Sequence, residues 1–263
     1  MLNTFLDDAI RVARKAGTVL RTKLESDFRV EYKGEVDLVT DMDRTAQTII
    51  ESEIRSLYPT HGLLAEEELD DPGTDGYVWV IDPLDGTTNY AHRFPVFSVS
   101  IALTAGEEVL CGVVHNPMSE ETFTSVKGGG ASLNGHAIGV SKVDTLNRSL
   151  LATGFPYNIR ETLETNLNHF NNMVLQAQGI RRCGSAALDL CYVACGRVDG
   201  FWELGLNPWD IAAGTLIVRE AGGMVTDFSG KPLVLDGSEV LASNGVIHNE
   251  MTAVLAADRP GQG

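Results

Sequence analysis

Several features that would mark a membrane, secreted or nucleic-acid-binding protein are missing from these 263 residues. The longest apolar runs are far shorter than the roughly 20 residues needed to cross a bilayer, so we expect no membrane segment. The four cysteines form no Cys-x-x-Cys pair, and we expect a reducing, cytoplasmic compartment. Positive charge is scarce: the formal net charge is −16, which argues against nucleic acid as the main ligand.

The residues that are present are typical of a soluble globular protein. Hydrophobic residues make up 43% of the chain and charged residues 21%, and the length allows one large domain or two coupled lobes. Over about Leu2 to Leu24, apolar side chains recur at helical spacing between charged ones. This pattern predicts an amphipathic helix and not a signal peptide.

The most informative stretch runs from Val78 to His92. Its first four residues, Val78 to Ile81, are apolar strand formers and predict a buried strand. Asp82 is expected to end this strand, because the proline and glycine that follow would turn the backbone at once. The turn would carry two carboxylates, Asp82 and Asp85, on one tight loop.

The chemistry of this stretch suits a cation and a phosphate together. Carboxylates hold hard divalent cations, and free N–H groups at a helix start bind phosphate. Thr87, Thr88 and Asn89 follow the two carboxylates and predict such a helix start. A cation site beside a phosphate site is what a metal-assisted phosphatase needs. For the five residues from Asp82 to Gly86 alone, a plain surface turn is the competing interpretation.

The longer string is more specific, and it resembles a known family. The segment Asp82-Pro-Leu-Asp-Gly-Thr-Thr-Asn-Tyr90, with His92 close behind, resembles the first signature of the inositol monophosphatase family. Near the C-terminus, Trp209-Asp-Ile-Ala-Ala-Gly214 is similar to the second signature, Trp-Asp-x-Ala-Ala-Gly. That family belongs to the lithium-sensitive, magnesium-dependent sugar and nucleotide phosphatases. Two independent motifs in the expected order make coincidence a poor explanation.

The resemblance covers nearly the whole chain and implies a fold. That fold is α+β (mixed α/β), a layered α-β-α-β-α sandwich of the sugar phosphatase type, and we expect a homodimer. Beyond about Ser141 to Asn147 the predicted elements change to helices that alternate with short strands, which indicates a lobe boundary. We therefore expect an N-terminal lobe over 1–144 with a helix pair, an antiparallel sheet and the main metal loop. A C-terminal α/β lobe over 145–263 would carry the second-metal Asp and the substrate pocket.

The residues after the central motif predict the sheet of the first lobe. Phe97 to Leu103 alternates apolar and small or polar residues, which predicts a half-buried strand. Two further strands are predicted, over Val109 to His115 and Glu121 to Val126. The short connections between them favour antiparallel pairing. Asn134-Gly135 predicts a two-residue hairpin, and Gly128 to Gly130 a turn and not a phosphate cradle.

The resemblance implies that five residues hold two Mg²⁺ ions: Glu66, Asp82, Leu84, Asp85 and Asp210. One ion, which activates a water, would be bound by Glu66, Asp82 and the Leu84 carbonyl. The other ion, which stabilises the leaving alkoxide, would be bound by Asp82, Asp85 and Asp210. Glu67 is the alternative to Glu66 if the alignment shifts by one residue. Without the resemblance, the acidic run beginning at Glu66 would be a solvated surface.

Catalytic and substrate-binding roles follow from the same resemblance. Glu66, Asp43 and Thr87 would be catalytic, with Asp43 hydrogen-bonded to Thr87 to polarise the attacking water. Thr40, three residues before Asp43, is the expected N-terminal cap of a helix. Glu203 would accept hydrogen bonds from a polyol. The residues expected to bind substrate are Gly86, Thr87, Thr88, Gly184, Ser185, Ala186, Glu203 and Asp210.

The sequence therefore predicts a magnesium-dependent phosphomonoesterase. Its substrate would be inositol monophosphate or a similar small phosphorylated polyol or sugar, hydrolysed by in-line attack of water. The resemblance also implies alternatives, because related enzymes hydrolyse fructose 1,6-bisphosphate or 3′-phosphorylated nucleotides, and Arg181 and Arg182 leave room for a second anionic group. A non-catalytic regulator on the same fold is another, because some bacterial relatives bind the transcription machinery. A plain cation-binding module is the third.

Overall fold

The computed structural model describes residues 1–24, 30–32, 38–67, 69–162 and 165–257. Seven α-helices lie within these ranges, together with a 3-10 helix at Leu146–Arg148. The α-helices are α1 (Leu2–Lys23), α2 (Asp41–Leu57), α3 (Thr87–Ala91), α4 (Leu167–Val174), α5 (Ala186–Ala194), α6 (Pro208–Glu220) and α7 (His248–Ala256). The predicted first helix is confirmed. The helical spacing of Leu163, Leu167, Phe170 and Val174 also predicts a helix; Leu163 lies outside the described residues, and α4 starts at Leu167.

The strands form two large sheets and one small ribbon. The strands are β1 (Val30–Tyr32), β2 (Leu38–Thr40), β3 (His61–Ala65), β4 (Leu69–Gly73), β5 (Tyr77–Asp85), β6 (Ser98–Ala105), β7 (Glu108–Asn116), β8 (Glu121–Val126), β9 (Ala131–Leu133), β10 (His136–Ala137), β11 (Leu150–Thr153), β12 (Gly179–Arg181), β13 (Gly200–Leu204), β14 (Met224–Thr226) and β15 (Glu239–Ser243). The eight-stranded sheet has the order β10-β9-β8-β7-β6-β5-β3-β4, the five-stranded sheet β12-β11-β13-β15-β14, and β1 pairs with β2.

The layered α-β-α-β-α sandwich is confirmed. Helices α1 and α2 pack on one face of the eight-stranded sheet, while α5 and α6 lie between the two sheets and α4 and α7 cover the smaller one. Each layer buries the apolar face of its neighbour, which is what makes such stacks stable. The two sheets come from 61–137 and 150–243, on either side of the boundary expected at 144/145, although one apolar core extends across both.

The antiparallel part of the large sheet also follows the prediction. Strands β5 to β8 pair antiparallel in chain order, and Leu133 pairs with His136 across the Asn134-Gly135 turn. Both turn residues have positive φ, 51° and 79°, as a two-residue hairpin turn requires. The expectation that β6 is half-buried is wrong, since its residues are buried on both faces. Helix α1 covers one face of this strand and α6 the other.

Strand β5 also differs from its prediction, because it does not end at Asp82. It continues to Asp85, with Asp82 paired to Ser100 and Asp85 paired to Ser98. Three residue steps on β5 therefore face two steps on β6, so one extra residue bulges out of the ladder. Pro83 lies in this bulge, where its missing N–H costs no ladder hydrogen bond.

Close packing of α5 on α6 depends on a glycine of the second motif. A Cβ atom at Gly214 would lie 2.7 Å from the Leu190 Cβ. The small residues of this motif therefore bring the backbone of α6 close to α5. This approach fixes the helices that carry Ser185 and Asp210 into the site.

Candidate active site

The bulge in β5 presents two buried carboxylates at the carboxyl end of the strand. Asp82 accepts a hydrogen bond from the N–H of Leu84 at 2.9 Å. Burial raises the pKa of Asp82 well above its ordinary value, and the negative charges of Glu66, Asp85 and Asp210 raise it further. The three acidic groups expected to share cations with Asp82 therefore all lie close enough to repel it.

The start of α5 is bound to Asp85. Ser185 caps this helix and donates its hydroxyl proton to Asp85 Oδ2, and the N–H of Ala187 donates to the same oxygen at 2.9 Å. Ser98 lies 3.4 Å from that oxygen. Part of the helix start that was expected to be free for substrate is thus occupied by a carboxylate. A negative charge is favoured there because of the helix dipole.

Asp210 enters the site from the first turn of α6. One carboxylate oxygen accepts the N–H of Asn207 at 2.7 Å, closing a capping box in which Asn207 also caps the helix. Desolvation and the charge of Asp85 raise the pKa of Asp210 to about 7. The Asp210 side chain also contacts Asp82. Asp210 therefore belongs both to the cap of α6 and to the carboxylate cluster of Glu66, Asp82, Asp85 and Asp210.

Asp43 and Thr87 form the hydrogen bond that the resemblance implies. Thr87 Oγ1 lies 2.8 Å from Asp43 Oδ1 and 3.0 Å from the Leu84 carbonyl oxygen, which are both acceptors for its single proton. The predicted cap is confirmed as well, because Thr40 caps α2 and donates both its N–H and its hydroxyl to Asp43 Oδ2. Burial raises the pKa of Asp43, while these three donors oppose the shift.

Glu66 and Glu67 both reach the side of the site formed by Asp43. Carboxylate oxygens of these three residues lie within 4.8 Å of one another, a spacing that could hold a metal ion. Glu66 in addition acts on Asp82, whereas Glu67 acts on Asp43. This arrangement favours Glu66 over Glu67 as the residue that joins the Asp82 cluster.

Gly86 starts the short helix α3 and needs its glycine. Its φ is +98°, and a Cβ atom there would lie 3.1 Å from the carbonyl oxygens of Gly184 and Val96. Thr88 is exposed at the start of α3. The Asn89 amide does not face the site: its Nδ2 lies 2.8 Å from the Cys183 carbonyl oxygen and 2.7 Å from that of Val96. Asn89 therefore ties α3 to the segment before α5.

Glu203, near the end of β13, lies close enough to Asp210 for its charge to act on that carboxylate. Its carboxylate packs on the backbone of Gly154, where a Cβ atom would come within 2.0 Å of Oε1. Burial raises the pKa of Glu203 to about 8, and the positive charge of Arg182 opposes that shift. Of the two arginines singled out in the sequence, Arg182 thus acts on the site, while Arg181 hydrogen-bonds a backbone carbonyl.

Two residues near the site were not expected from the sequence. Tyr157, in the loop after β11, is 55% exposed, and the charges of the four carboxylates help to raise its pKa. Asp189, in α5, is buried with one oxygen lacking a hydrogen-bond partner among the described residues, and burial raises its pKa to about 8. Neither Tyr157 nor Asp189 lies in a recognisable motif. Only the positions of the two residues in space relate them to the site.

Comparison with known proteins assigns the chain to a family. The sequence profile described as the Inositol monophosphatase family matches residues 1–261. The chain belongs to the inositol monophosphatase family. The resemblance seen in the two motifs is therefore confirmed over nearly the full length.

Individual relatives agree with this membership. An inositol-1-monophosphatase of Synechocystis sp. is 45% identical over 97% of this chain and 90% of its own. The Nus factor SuhB of Escherichia coli is 44% identical over 96% of both chains. The solved structure of an inositol monophosphatase from Anabaena (Nostoc) sp. superimposes with a TM-score of 0.90 at 42% identity, covering 99% of this chain and 98% of that one.

Members of the inositol monophosphatase family are metal-dependent phosphoric monoester hydrolases, and the donor set here fits a metal. The clustered groups are carboxylates, the hard oxygen ligands that divalent cations prefer. Burial and the like charges of neighbouring carboxylates raise the pKa values of Asp82 and Asp210, and a bound cation would oppose both effects. Within the described ranges, none of the helices combines the length and apolar character needed to cross a bilayer.

Proposed function

We propose that this protein is a divalent-cation-dependent phosphomonoesterase that hydrolyses inositol monophosphate or a similar small polyol phosphate. The observation that carries the proposal is the meeting of acidic groups from separate elements around Asp82. Asp85 comes from β5, Asp210 from α6 and Glu66 from the segment after β3. Glu203 lies near them on β13, where a substrate alcohol could be recognised.

The residues that would hold two Mg²⁺ ions are Glu66, Asp82, Leu84, Asp85 and Asp210. Bound cations would supply Lewis acidity to the attacking water and to the leaving oxygen. The chain's own task is to hold these donors in place. Ser185 and the N–H of Ala187 orient Asp85, and the N–H of Asn207 orients Asp210. These outer contacts direct the remaining carboxylate oxygens towards Asp82.

Thr87 and Asp43 would orient the attacking water. When the Thr87 hydroxyl donates to Asp43, its oxygen lone pairs are left to accept a proton of an incoming water. Asp43 is itself held by the two Thr40 donors, so the pair is rigid before substrate arrives. Glu66, on the same side of the site, is the third residue that we assign to this step.

The substrate would lie between α3 and β13. N–H groups at Gly86, Thr87 and Thr88 would bind the phosphate, because the first turn of a helix leaves its N–H groups without helical acceptors. Glu203 would accept hydrogen bonds from polyol hydroxyls, next to Asp210. The segment Gly184 to Ala186 would line the pocket beside Arg182. That arginine could also meet a second phosphate, which keeps fructose 1,6-bisphosphate and 3′-phosphonucleotides as alternatives.

The decisive experiment is phosphate release from a panel of esters with Mg²⁺. The panel holds inositol 1-phosphate, fructose 1,6-bisphosphate and a 3′-phosphorylated nucleotide, tested with wild type and Asp85→Asn. Asp7→Asn, an exposed position on α1, is the matched control. We expect turnover of the inositol ester that is lost in Asp85→Asn and kept in Asp7→Asn. Absence of release from every ester would refute the proposal.

A role in transcription is the second candidate, because the E. coli relative is named a Nus factor. The full set of acidic ligands favours catalysis without opposing such an additional role. An in vitro antitermination assay with wild type and Asp85→Asn would separate the two. Activity that persists in Asp85→Asn would indicate a function independent of phosphate ester hydrolysis.

Three further properties come from the family and from composition. We infer sensitivity to lithium, a homodimer in solution, and a cytoplasmic location consistent with four free cysteines. Inhibition by LiCl of the Mg²⁺-dependent phosphate release would test the first. Sedimentation equilibrium tests the second, and a single species at the 28.4 kDa chain mass would contradict it.

A further inference from the structure

A cleft outside the candidate active site lies where α1 crosses β7 and β8. Its volume is about 340 Å³. Polar and charged side chains line most of it, among them Arg14, Thr18, Arg21, His115 and Glu120. Two positive charges and one negative charge give this cleft a local excess of positive charge in a chain with a net charge of −16. None of these residues belongs to the proposed metal or substrate site.

Arg14 supplies the charge that the protein itself does not neutralise. Its Nε donates to Thr122 Oγ1 at 3.2 Å. In the part of the chain that the structure describes, no carboxylate forms an ion pair with Arg14, whereas Arg21 pairs with Glu120. Both terminal nitrogens of the Arg14 guanidinium therefore remain as donors in the wall of the cleft. A planar guanidinium with free N–H groups matches the oxygens of a phosphate.

His115 lies in the wall of the cleft with its ring held by two acceptors. Its Nδ1 lies 3.1 Å from Thr122 Oγ1 and 3.2 Å from the Glu121 carbonyl oxygen, which can only accept a hydrogen bond. The imidazole proton is therefore on Nδ1, and Nε2 is an acceptor. Burial lowers the pKa of His115 to about 4, with the charges of Arg14 and Arg21 contributing, so the ring is neutral at pH 7.

A glycine in the middle of α1 makes room for this histidine. A Cβ atom at Gly17 would lie 2.6 Å from His115 Cδ2 and 3.0 Å from Nε2. Glycine in a helix interior is destabilising relative to alanine. Its presence in α1 is explained by the close approach of the His115 ring to the helix backbone. The imidazole edge can lie against α1, between the two arginines, only because the position has no side chain.

We propose that this cleft binds a small phosphate-bearing anion, held by Arg14 and Arg21 beside the neutral His115 ring. The excess positive charge selects an anion, and the fork of guanidinium N–H groups matches two oxygens of a phosphate. The remaining volume leaves space for a short organic group, so inorganic phosphate and a phosphate monoester are both candidates for the same chemistry. The site uses no metal, which distinguishes it from the active site.

The test uses the full chain in EDTA. Without divalent cations the active-site carboxylates repel anions, so binding of phosphate there is suppressed. The probes are inorganic phosphate and phenyl phosphate, and the readout is the side-chain ¹H–¹⁵N NMR signal of His115. Arg14→Gln is compared with Arg148→Gln, which removes the same charge from a side chain that is 74% exposed and distant in the chain. Circular dichroism verifies that both variants fold.

We expect saturable shifts of the His115 signal in wild type and in Arg148→Gln. Arg14→Gln should bind roughly tenfold or more weakly, as loss of a charged hydrogen bond implies. Tighter binding of phenyl phosphate would identify an ester as the ligand, and equal binding would identify phosphate alone. A His115 signal that does not move, or equal affinity in Arg14→Gln and Arg148→Gln, would overturn the proposal.

Discussion

The acidic residues of the candidate site hold their protons far more tightly than free side chains do. Asp210 and Glu203 have pKa values raised to about 7 and about 8, from ordinary values of 3.8 and 4.5. Burial is the largest cause at both, and neighbouring carboxylates add to it. Such shifts cluster at functional sites, where a ligand or cation later supplies the missing positive charge.

Glu203 is the residue on which substrate choice should depend. At pH 9, above the Glu203 pKa of about 8, Glu203→Gln keeps the side-chain shape but removes the carboxylate, so hydrogen bonds from polyol hydroxyls weaken. We expect KM for inositol 1-phosphate to rise by about tenfold. Hydrolysis of phenyl phosphate, which has no polyol hydroxyls, should change little. Equal losses on both esters would show that Glu203 acts on the phosphate end and not on the alcohol.

Thr87 should affect the chemical step and not binding. Thr87→Ala removes the hydroxyl that contacts Asp43, and kcat should fall by about 100-fold, the range of a positioned proton acceptor. Thr87→Ser keeps the hydroxyl and serves as the control, with most of kcat retained. Steady-state kinetics on inositol 1-phosphate would measure both variants. Equal loss in the two variants would assign the effect to packing.

Among the secondary-structure elements, α3, α5 and α6 decide the geometry of the site. Each begins at the site, and the first turns of α5 and α6 are held through carboxylates of the site itself, Asp85 and Asp210. Asn89 in addition ties α3 to the carbonyl of Cys183, just before α5. The helix starts are therefore part of the site and are positioned by it.

The start of α3 should be sensitive to any side chain at Gly86. Gly86→Ala would place a methyl group at 3.1 Å from two carbonyl oxygens, on a backbone with φ of +98°. The left-handed backbone alone costs about 1–2 kcal/mol. Gly106→Ala is the matched control, since its φ is +60° but its Cβ would have no neighbour within 4 Å. In urea unfolding, Gly86→Ala should lose clearly more stability; equal losses would contradict the contact with the α5 segment.

For the whole molecule, the carboxylate cluster links stability to pH and to cations. Glu203 and Asp189, each with a pKa of about 8 in the folded state, bind protons more tightly there than in the unfolded chain. Folding is therefore favoured at low pH by these groups, and this stabilisation is lost as pH rises from about 4 through about 8. Cations that bind only the folded state should oppose that loss.

The corresponding prediction concerns thermal unfolding in EDTA and in Mg²⁺. In EDTA, Tm should fall between pH 5 and pH 8, while Mg²⁺ should raise Tm at pH 8 far more than at pH 5. Differential scanning calorimetry would measure both, with Glu203→Gln as the variant that shows a smaller fall in EDTA. A Tm in EDTA that rises with pH over this range would contradict the raised pKa values.

Local patterns in the sequence were sufficient for several elements and for the membership of the family. The 3.6-residue periodicity of α1, the Thr40 cap and the Asn134-Gly135 turn depend on neighbours within a few residues, so they can be read directly. The two motifs identified the family, and three residues expected at the site, Glu66, Asp85 and Asp210, lie close enough to Asp82 for their charges to act on it. The layered sandwich followed from that resemblance.

Contacts between distant residues required the tertiary structure. Asp85 meets Ser185 100 positions away, and no local pattern shows that the α5 start would bind a carboxylate. The bulge that extends β5, and the burial of β6 on both faces, depend on what packs against each strand. Tyr157, Asp189 and the cleft at Arg14 carry no motif. Sequence alone determined which residues are chemically able to act, and only the packing decided which of them share a site, because burial and charge depend on neighbours in space.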